Sequence, residues 1–291
     1  MSRKRALLSI LLLLFVIAFV FTITSILILR KWRPIFSFSN KIGVISIEGV
    51  ISSSMDINSQ IERFRKDNSI KAIILRINSP GGAVAPTQEI YREIRKTIKQ
   101  KKVIASIGSI GASGGYYIAS AANKIVADPG TITGSIGVIM NFVQIKKLLQ
   151  RLGIKLEALK SGEFKDIGAP YREMTDKERQ LIINMLLEVK EQFVKAVAQG
   201  RHLPIKKVEK IADGRILLGS QAKRLGLVDK LGNFQDAVNL AKELAHIKGG
   251  VKLVYPRSYS LSLFGRLVNN IARNILFELS FPKLQYRVFS P

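Results

Sequence analysis

The chain has 291 residues, 47% of them hydrophobic, with 46 Lys and Arg against 21 Asp and Glu for a formal charge of +25. That length and apolar content exclude a disordered chain and allow one large domain beside a membrane segment. Cysteine is absent, which removes disulfides, thiolate metal sites and a cysteine nucleophile. Only His202 and His246 remain for a zinc site or a serine–histidine pair. The positive charge would attract any polyanion, but no nucleic-acid-reading motif is present and the basic residues are spread over helical faces, so no nucleic-acid partner is expected.

Residues 6–29 carry no charge, a run of 24 that as a helix would extend about 36 Å at 1.5 Å per residue. The run ends in Arg30, Lys31, Trp32 and Arg33 rather than in small residues at a cleavage site, so it predicts an uncleaved transmembrane anchor, contacting membrane lipid, within a basic segment 1–33. Arg3, Lys4 and Arg5 on one side nearly balance Arg30, Lys31 and Arg33 on the other, so the charge count does not settle orientation. A linker, 34–41, follows.

From residue 42 the pattern alternates. "IGVISIEGVI" (42–51), "IKAIILRIN" (70–78) and "KVIASIG" (102–108) predict strands buried on both faces, and "APTQEIYREIRKTIKQKK" between the last two predicts a helix with Ile90, Ile94 and Ile98 on one side. Strand, helix, strand implies a right-handed parallel crossover. "KIVADP" and "IKLEALKSG" predict two further strands, separated by a helical "VQIKKLLQRLG". Near Thr175 a helical addition begins. Thr175 and Glu178 form a capping box ahead of Leu181, Ile182, Met185, Leu186, Val189 and Phe193, and shorter helices follow near 204–213, 219–225 and 234–245, before a strand-like "VKLVYP". The fold class is α/β, one domain over 42–250.

Residues 251–291 form a basic tail. Leu261, Phe264, Val268, Ile271, Ile275 and Leu279 recur at helical spacing opposite Arg266 and Arg273. Such a helix would pack on its own domain or a neighbouring subunit, or lie on lipid.

Two glycine-rich turns follow consecutive buried strands, "NSPGGAV" and "GASGGYY". Ligands bind at the carboxyl ends of parallel strands, where turns expose N–H groups. Gly81 and Gly82 lack the Cβ that would block a substrate carbonyl, so the turns could form an oxyanion hole, with Ser113 beside it; tight turns needing glycine for backbone reasons alone are the alternative. A serine hydroxyl needs a base. His202 and His246 sit in the helical half, where they read as surface or helix-end residues. Asp128 and Asp166 could orient a base but are weak bases themselves. Lys165, in "SGEFKDIGAP", remains. A neutral lysine requires desolvation, and the adjacent Asp166 opposes this unless the segment is extended and the two side chains point apart. One solvated lysine among many is the alternative.

The set "INSPGG", "GASGGYYIASAA", "IVADPGTITGSIGVI" and "KSGEFKDIG" resembles the signal peptide peptidase A (SppA) family, short membrane-anchored form, within the fold group of the ClpP protease and the crotonases. The resemblance covers about residues 42–245. It implies a ClpP/crotonase-like core with a helical addition, preceded by one transmembrane helix. It implies Ser113 as nucleophile, Lys165 as general base, Ser135 as the hydroxyl that orients the lysine, and the N–H groups of Gly82 and Gly114 as the oxyanion hole. No metal or cofactor is implied. Also implied are a cytoplasmic N-terminus with the catalytic domain across the cell membrane, and a dome-shaped homo-oligomer, octameric in the expected form, whose subunits share active sites. The implied substrates are peptides with small or apolar side chains, signal peptides among them.

The rival readings are a related membrane Ser–Lys protease acting on a stomatin-like protein, an acyl-CoA enzyme of the crotonase type, and a non-catalytic membrane scaffold.

Overall fold

Central strands buried on both faces build the structure. The computed structural model describes residues 3–31, 40–256 and 285–287, with side chains over 11–26, over 40–256 and at Tyr286. The chain divides into two compact units, Met1–Ser39 and Asn40–Pro291.

The first unit contains helix α1 (Arg3–Lys31). Its described side chains are almost all apolar and exposed, with Phe15 at 71% and Phe21 at 72%. No helix is long and apolar enough over its described residues to cross a membrane; in α1 that stretch is confined to 11–26.

In the second unit, β1 (Lys41–Glu48) leads through α2 (Met55–Lys66) to β2 (Ile70–Ser79), then β3 (Gly81–Ala83), α3 (Val84–Thr97) and β4 (Lys102–Ala112). β1, β2 and β4 pair in parallel, with Val44 opposite Ile74 and Ile74 opposite Ile104. Successive residues of β2 serve opposite faces. Ile73 and Leu75 join the larger core with Ile61, Phe64, Ile90 and Ile94. Ala72 and Ile74 join Ile42, Val44, Ile104 and Val126 beneath Ala237, Val238 and Ala241. Both faces are covered, as parallel sheets require.

β4 is followed by α4 (Gly114–Ser120), β5 (Lys124–Ala127), β6 (Ile132–Gly134), α5 (Lys146–Arg151), α6 (Asp176–Arg201), α7 (Ile205–Glu209), β7 (Ile216–Leu218), α8 (Gly219–Leu225), β8 (Lys230–Leu231), α9 (Phe234–Leu244) and β9 (Lys252–Val254). The first half of β4 pairs with β5 and its second half with β6. All pairings in this eight-stranded sheet are parallel except β6 with β7. The last described element, β10 (Gln285–Arg287), pairs antiparallel with β3 outside that sheet.

The Thr175 capping box forms: the Glu178 N–H donates to Thr175 Oγ1 at 3.2 Å, and the Thr175 N–H to the Glu178 carboxylate at 2.8 Å. One expectation needs correction. Residues 154–160 form no strand; they are exposed, and among the described residues no strand pairs with them to satisfy their backbone groups. The 161–170 segment is a run of turns, so the extended form that would turn Asp166 away from Lys165 is not met. Along the apolar stripe of α6, Leu181 is exposed, Ile182, Met185 and Leu186 are half-buried, and full burial begins at Val189. The helical stretch expected over 261–279 lies outside the described residues.

Candidate active site

The site forms where β2 and β4 end side by side, with Ser79 paired to Gly111. Beyond Ser79 the chain turns through Gly81, whose φ of 104° is a conformation that L side chains rarely adopt. Ile51 then grips this turn: its N–H donates to Gly81 O at 2.9 Å, and its carbonyl accepts from Ala83 N at 2.7 Å. Peptide groups alternate sides along a strand, so the Gly82 N–H faces away from Ile51.

Ser113 is the single residue between β4 and α4. Its φ of 52° and ψ of −119° are costly for a non-glycine residue, on the order of 1–3 kcal/mol. Backbone bonds hold it there: Ser113 N donates to Gly134 O at 2.8 Å, and Tyr117 N donates to Ser113 O at 2.8 Å. The side chain is 1% exposed and its Oγ has no hydrogen-bond partner. A buried hydroxyl without a partner loses its hydration for nothing in return, unless a reacting group belongs there.

Gly114 follows immediately. A Cβ on it would lie 3.0 Å from Thr87 Oγ1 and 3.2 Å from Gly82 N, so only glycine lets the two turns approach this closely. The N–H-bearing turns at Gly82 and Gly114 are thus brought together beside Ser113. Ser135 lies one residue beyond Gly134, buried, with φ 49°. Ser113 and Ser135 are two of the four described non-glycine residues with positive φ.

Lys165 is not part of this cluster in the single chain. It sits exposed in the 161–170 turns, its N–H donating to Gly162 O at 3.2 Å, and its amine makes no hydrogen bond to Ser113. The neighbouring Asp166 is occupied elsewhere. Arg172 Nε and Nη2 each reach its carboxylate at 2.7 Å, Lys160 Nζ does so at 2.6 Å, and these cations hold the carboxyl well below the usual carboxylate range. Arg172 Nη1 also donates to Glu178 at 2.9 Å and lowers that carboxyl to about 2. Asp128 is exposed and its carbonyl accepts from Thr131. His202 and His246 are exposed residues at helix ends, both with φ 53°.

The family resemblance leaves open whether the C-terminal tail binds at its own site, and a strand of that tail lies in the cleft. β10 lies antiparallel on β3, Tyr286 opposite Gly82, with the Tyr286 side chain fully buried. A Cβ built on Gly81 would stand 1.8 Å from the Tyr286 carbonyl oxygen and 2.8 Å from Gly114 N. The Tyr286 carbonyl therefore lies against the turn at Gly81, close to Gly114 N. The alternation Leu284, Tyr286, Val288 was the only available signal for a strand.

Residues 95–248 match the model of peptidase family S49, and residues 31–129 match the Clp protease model. A putative protease of Synechocystis is 41% identical over 216 residues, 74% of this chain and 78% of its own length. A putative signal peptide peptidase of Enterococcus faecium is 32% identical over 80% of this chain and 72% of its own. A putative protease of Methanocaldococcus jannaschii is 38% identical over 70% of this chain and 66% of its own. With a Clp protease-like α/β core and these relatives, the chain belongs to peptidase family S49 and is a serine-type peptidase.

Proposed function

We propose that the chain is a membrane-anchored endopeptidase that hydrolyses peptides through an acyl-enzyme on Ser113, with Lys165 as general base. The observation that carries this reading is the buried, unpartnered Ser113 Oγ on a strained turn between the two glycine donors. In the first step the Lys165 amine takes the Ser113 proton as Oγ attacks the peptide carbonyl, and the Gly82 and Gly114 N–H groups stabilise the oxyanion. The C–N bond then breaks, the proton passes from Lys165 to the departing amine, and an ester remains. Water attacks the ester as Lys165 accepts its proton, and Ser113 Oγ leaves with a proton. Ser135 orients the lysine, the role an aspartate plays for histidine in a Ser-His-Asp triad.

Lys165 reaches a serine by assembly, in a homo-oligomer whose subunits share sites. Support comes from apolar residues left uncovered in the segments that flank the lysine in sequence: Val143, Leu152, Leu156, Leu159, Leu181 and Leu187 are all exposed, as a second copy could bury them. The uncharged run 6–29 supports the anchor, with the catalytic domain extracytoplasmic and its substrates membrane-derived peptides, signal peptides included. Retention in the membrane pellet after alkaline extraction is expected; release into the supernatant would remove the anchor.

A fluorophosphonate should form a single adduct on Ser113, seen as a peptide mass shift, and Ser113→Ala should abolish it. An adduct on another serine would sink the assignment.

A further inference from the structure

Six parallel strands carry a lysine at the same end of the sheet. Across the sheet from β9 the row is Lys252, Lys41, Lys71, Lys102, Lys124 and Lys230, the first residue of each strand except in β2, where Lys71 is second. The register keeps them together: Lys41 faces Lys252, Lys102 faces Ala72, and Lys124 and Lys230 each stand two residues further along. At the spacing of neighbouring strands the row is about 24 Å long. All but Lys41 are exposed. Lys124 shares Asp229 with Arg201, and Lys230 reaches Asp236 at 3.3 Å, whereas Lys71, Lys102 and Lys252 have no ion-pair partner among the described residues. The other ends of these strands, where Ser113 follows β4, finish in Glu48, Ser79, Ala112, Ala127, Leu231 and Val254, none of them a cation.

Like charges in a row repel one another, and an anionic partner turns that repulsion into attraction. At its β5–β8 end the row runs into a cleft of about 580 Å³ that adds Arg201 and Lys223, with Leu203 and Leu240 on its walls. The cations suit a phosphate, and the leucines suit the glycerol and first methylenes behind it. Along the chain, residues 30–40 separate Lys41 from the uncharged run 6–29, a tether of at most about 40 Å. We propose that this lysine end of the catalytic domain docks on anionic phospholipid headgroups, with the cleft taking one headgroup phosphate. β4 has 11 residues, so Ser113 at its far end is held up to about 35 Å from the headgroups, and peptides reach it after leaving the bilayer. A nucleic acid would also be drawn to lysines, but the tether and the leucine walls favour lipid. The inference rests on the proposed anchor for that tether alone.

The chain has no cysteine, so a single label can be placed at will. Full-length Asn68→Cys, beside the row, and Asp128→Cys, at the opposite strand ends, each carry a fluorophore. Both are reconstituted in phosphatidylcholine vesicles, with or without phosphatidylglycerol, whose headgroups bear a spin-label quencher. The anionic vesicles should quench the label at position 68 and leave the one at 128 bright. That quenching should vanish in about 1 M salt, where screening shortens to about 3 Å. Lys71→Gln, Lys102→Gln and Lys252→Gln together should shift the docked-to-free ratio about a hundredfold toward the free domain; the salt response tests the same contact should the triple variant fold poorly. Quenching that is the same with and without phosphatidylglycerol, or equal at the two labels, would overturn the proposal. Displacement by an oligonucleotide at matched phosphate concentration would overturn it in favour of nucleic acid. A chain that floats with anionic vesicles alone, quenched at position 68, would uphold the lysine surface and overturn the anchor.

Discussion

The ring of Tyr286 stacks on that of Tyr117 at 5.1 Å, and the Tyr117 N–H donates to the Ser113 carbonyl at 2.8 Å. The C-terminal strand therefore packs against the first turn of the helix that carries the proposed nucleophile, and any peptide entering the cleft must displace it. Tyr286→Ala deletes a fully buried ring, a loss of up to about 3 kcal/mol in the grip of β10 on the domain. Hydrolysis of a short peptide should rise severalfold. Unchanged activity would mean that the strand does not hold the cleft closed.

Gly114 offers a separate test of the oxyanion hole. A Cβ there would meet Thr87 Oγ1 at 3.0 Å and Gly82 N at 3.2 Å, contacts that need a few tenths of an ångström of movement rather than a rebuilt core. Gly114→Ala should fold with a small drop in Tm and lose about a hundredfold in kcat with little change in KM, the pattern for a misplaced oxyanion donor. A KM effect alone would assign Gly114 to binding.

Much of this architecture was legible in the sequence because it is local. The β-branched runs at 42–51, 70–78 and 102–108 form β1, β2 and β4, the first ending at Glu48, and the Thr175 and Glu178 side chains encode their own helix start. Ser113 stood out because glycines surround it. What failed depends on partners distant in sequence. Residues 154–160 carry a strand-like pattern but have no edge to pair with in the single chain. β10 has three residues whose partner lies about 200 positions earlier in the chain, and local pattern has no access to such a pairing. The first half of α6 carries the apolar spacing of a core helix, but Leu181 is exposed and Ile182, Met185 and Leu186 are only half-buried.

The ion cluster under the lysine loop should respond to acid. Arg172 holds Asp166 and Glu178 below their ordinary values, so their contribution to stability is complete above about pH 4.5, the unfolded range, and is lost as pH falls toward about 2. Hydrogen exchange in 160–178 should accelerate across that window before the sheet opens. Arg172→Met should show the faster exchange already at pH 7. Identical exchange in variant and wild type would remove Arg172 as the clamp of this loop.

If subunits share sites, a mixture of two inactive variants should recover activity. Ser113→Ala and Lys165→Ala proteins, coassembled, would form some sites with an intact serine from one subunit and an intact lysine from another. Activity above both parents is expected. None after verified coassembly would confine the pair to one chain or remove Lys165 from the chemistry.

The most direct test of the central claim is hydrolysis of a quenched peptide by full-length wild type, Ser113→Ala and Lys165→Ala between pH 6 and pH 10. The Ser–Lys account predicts wild-type activity that rises with pH to a plateau and essentially none in either variant. A Lys165→Ala protein that keeps most of the activity and its pH profile would contradict it, and the base would have to be found elsewhere.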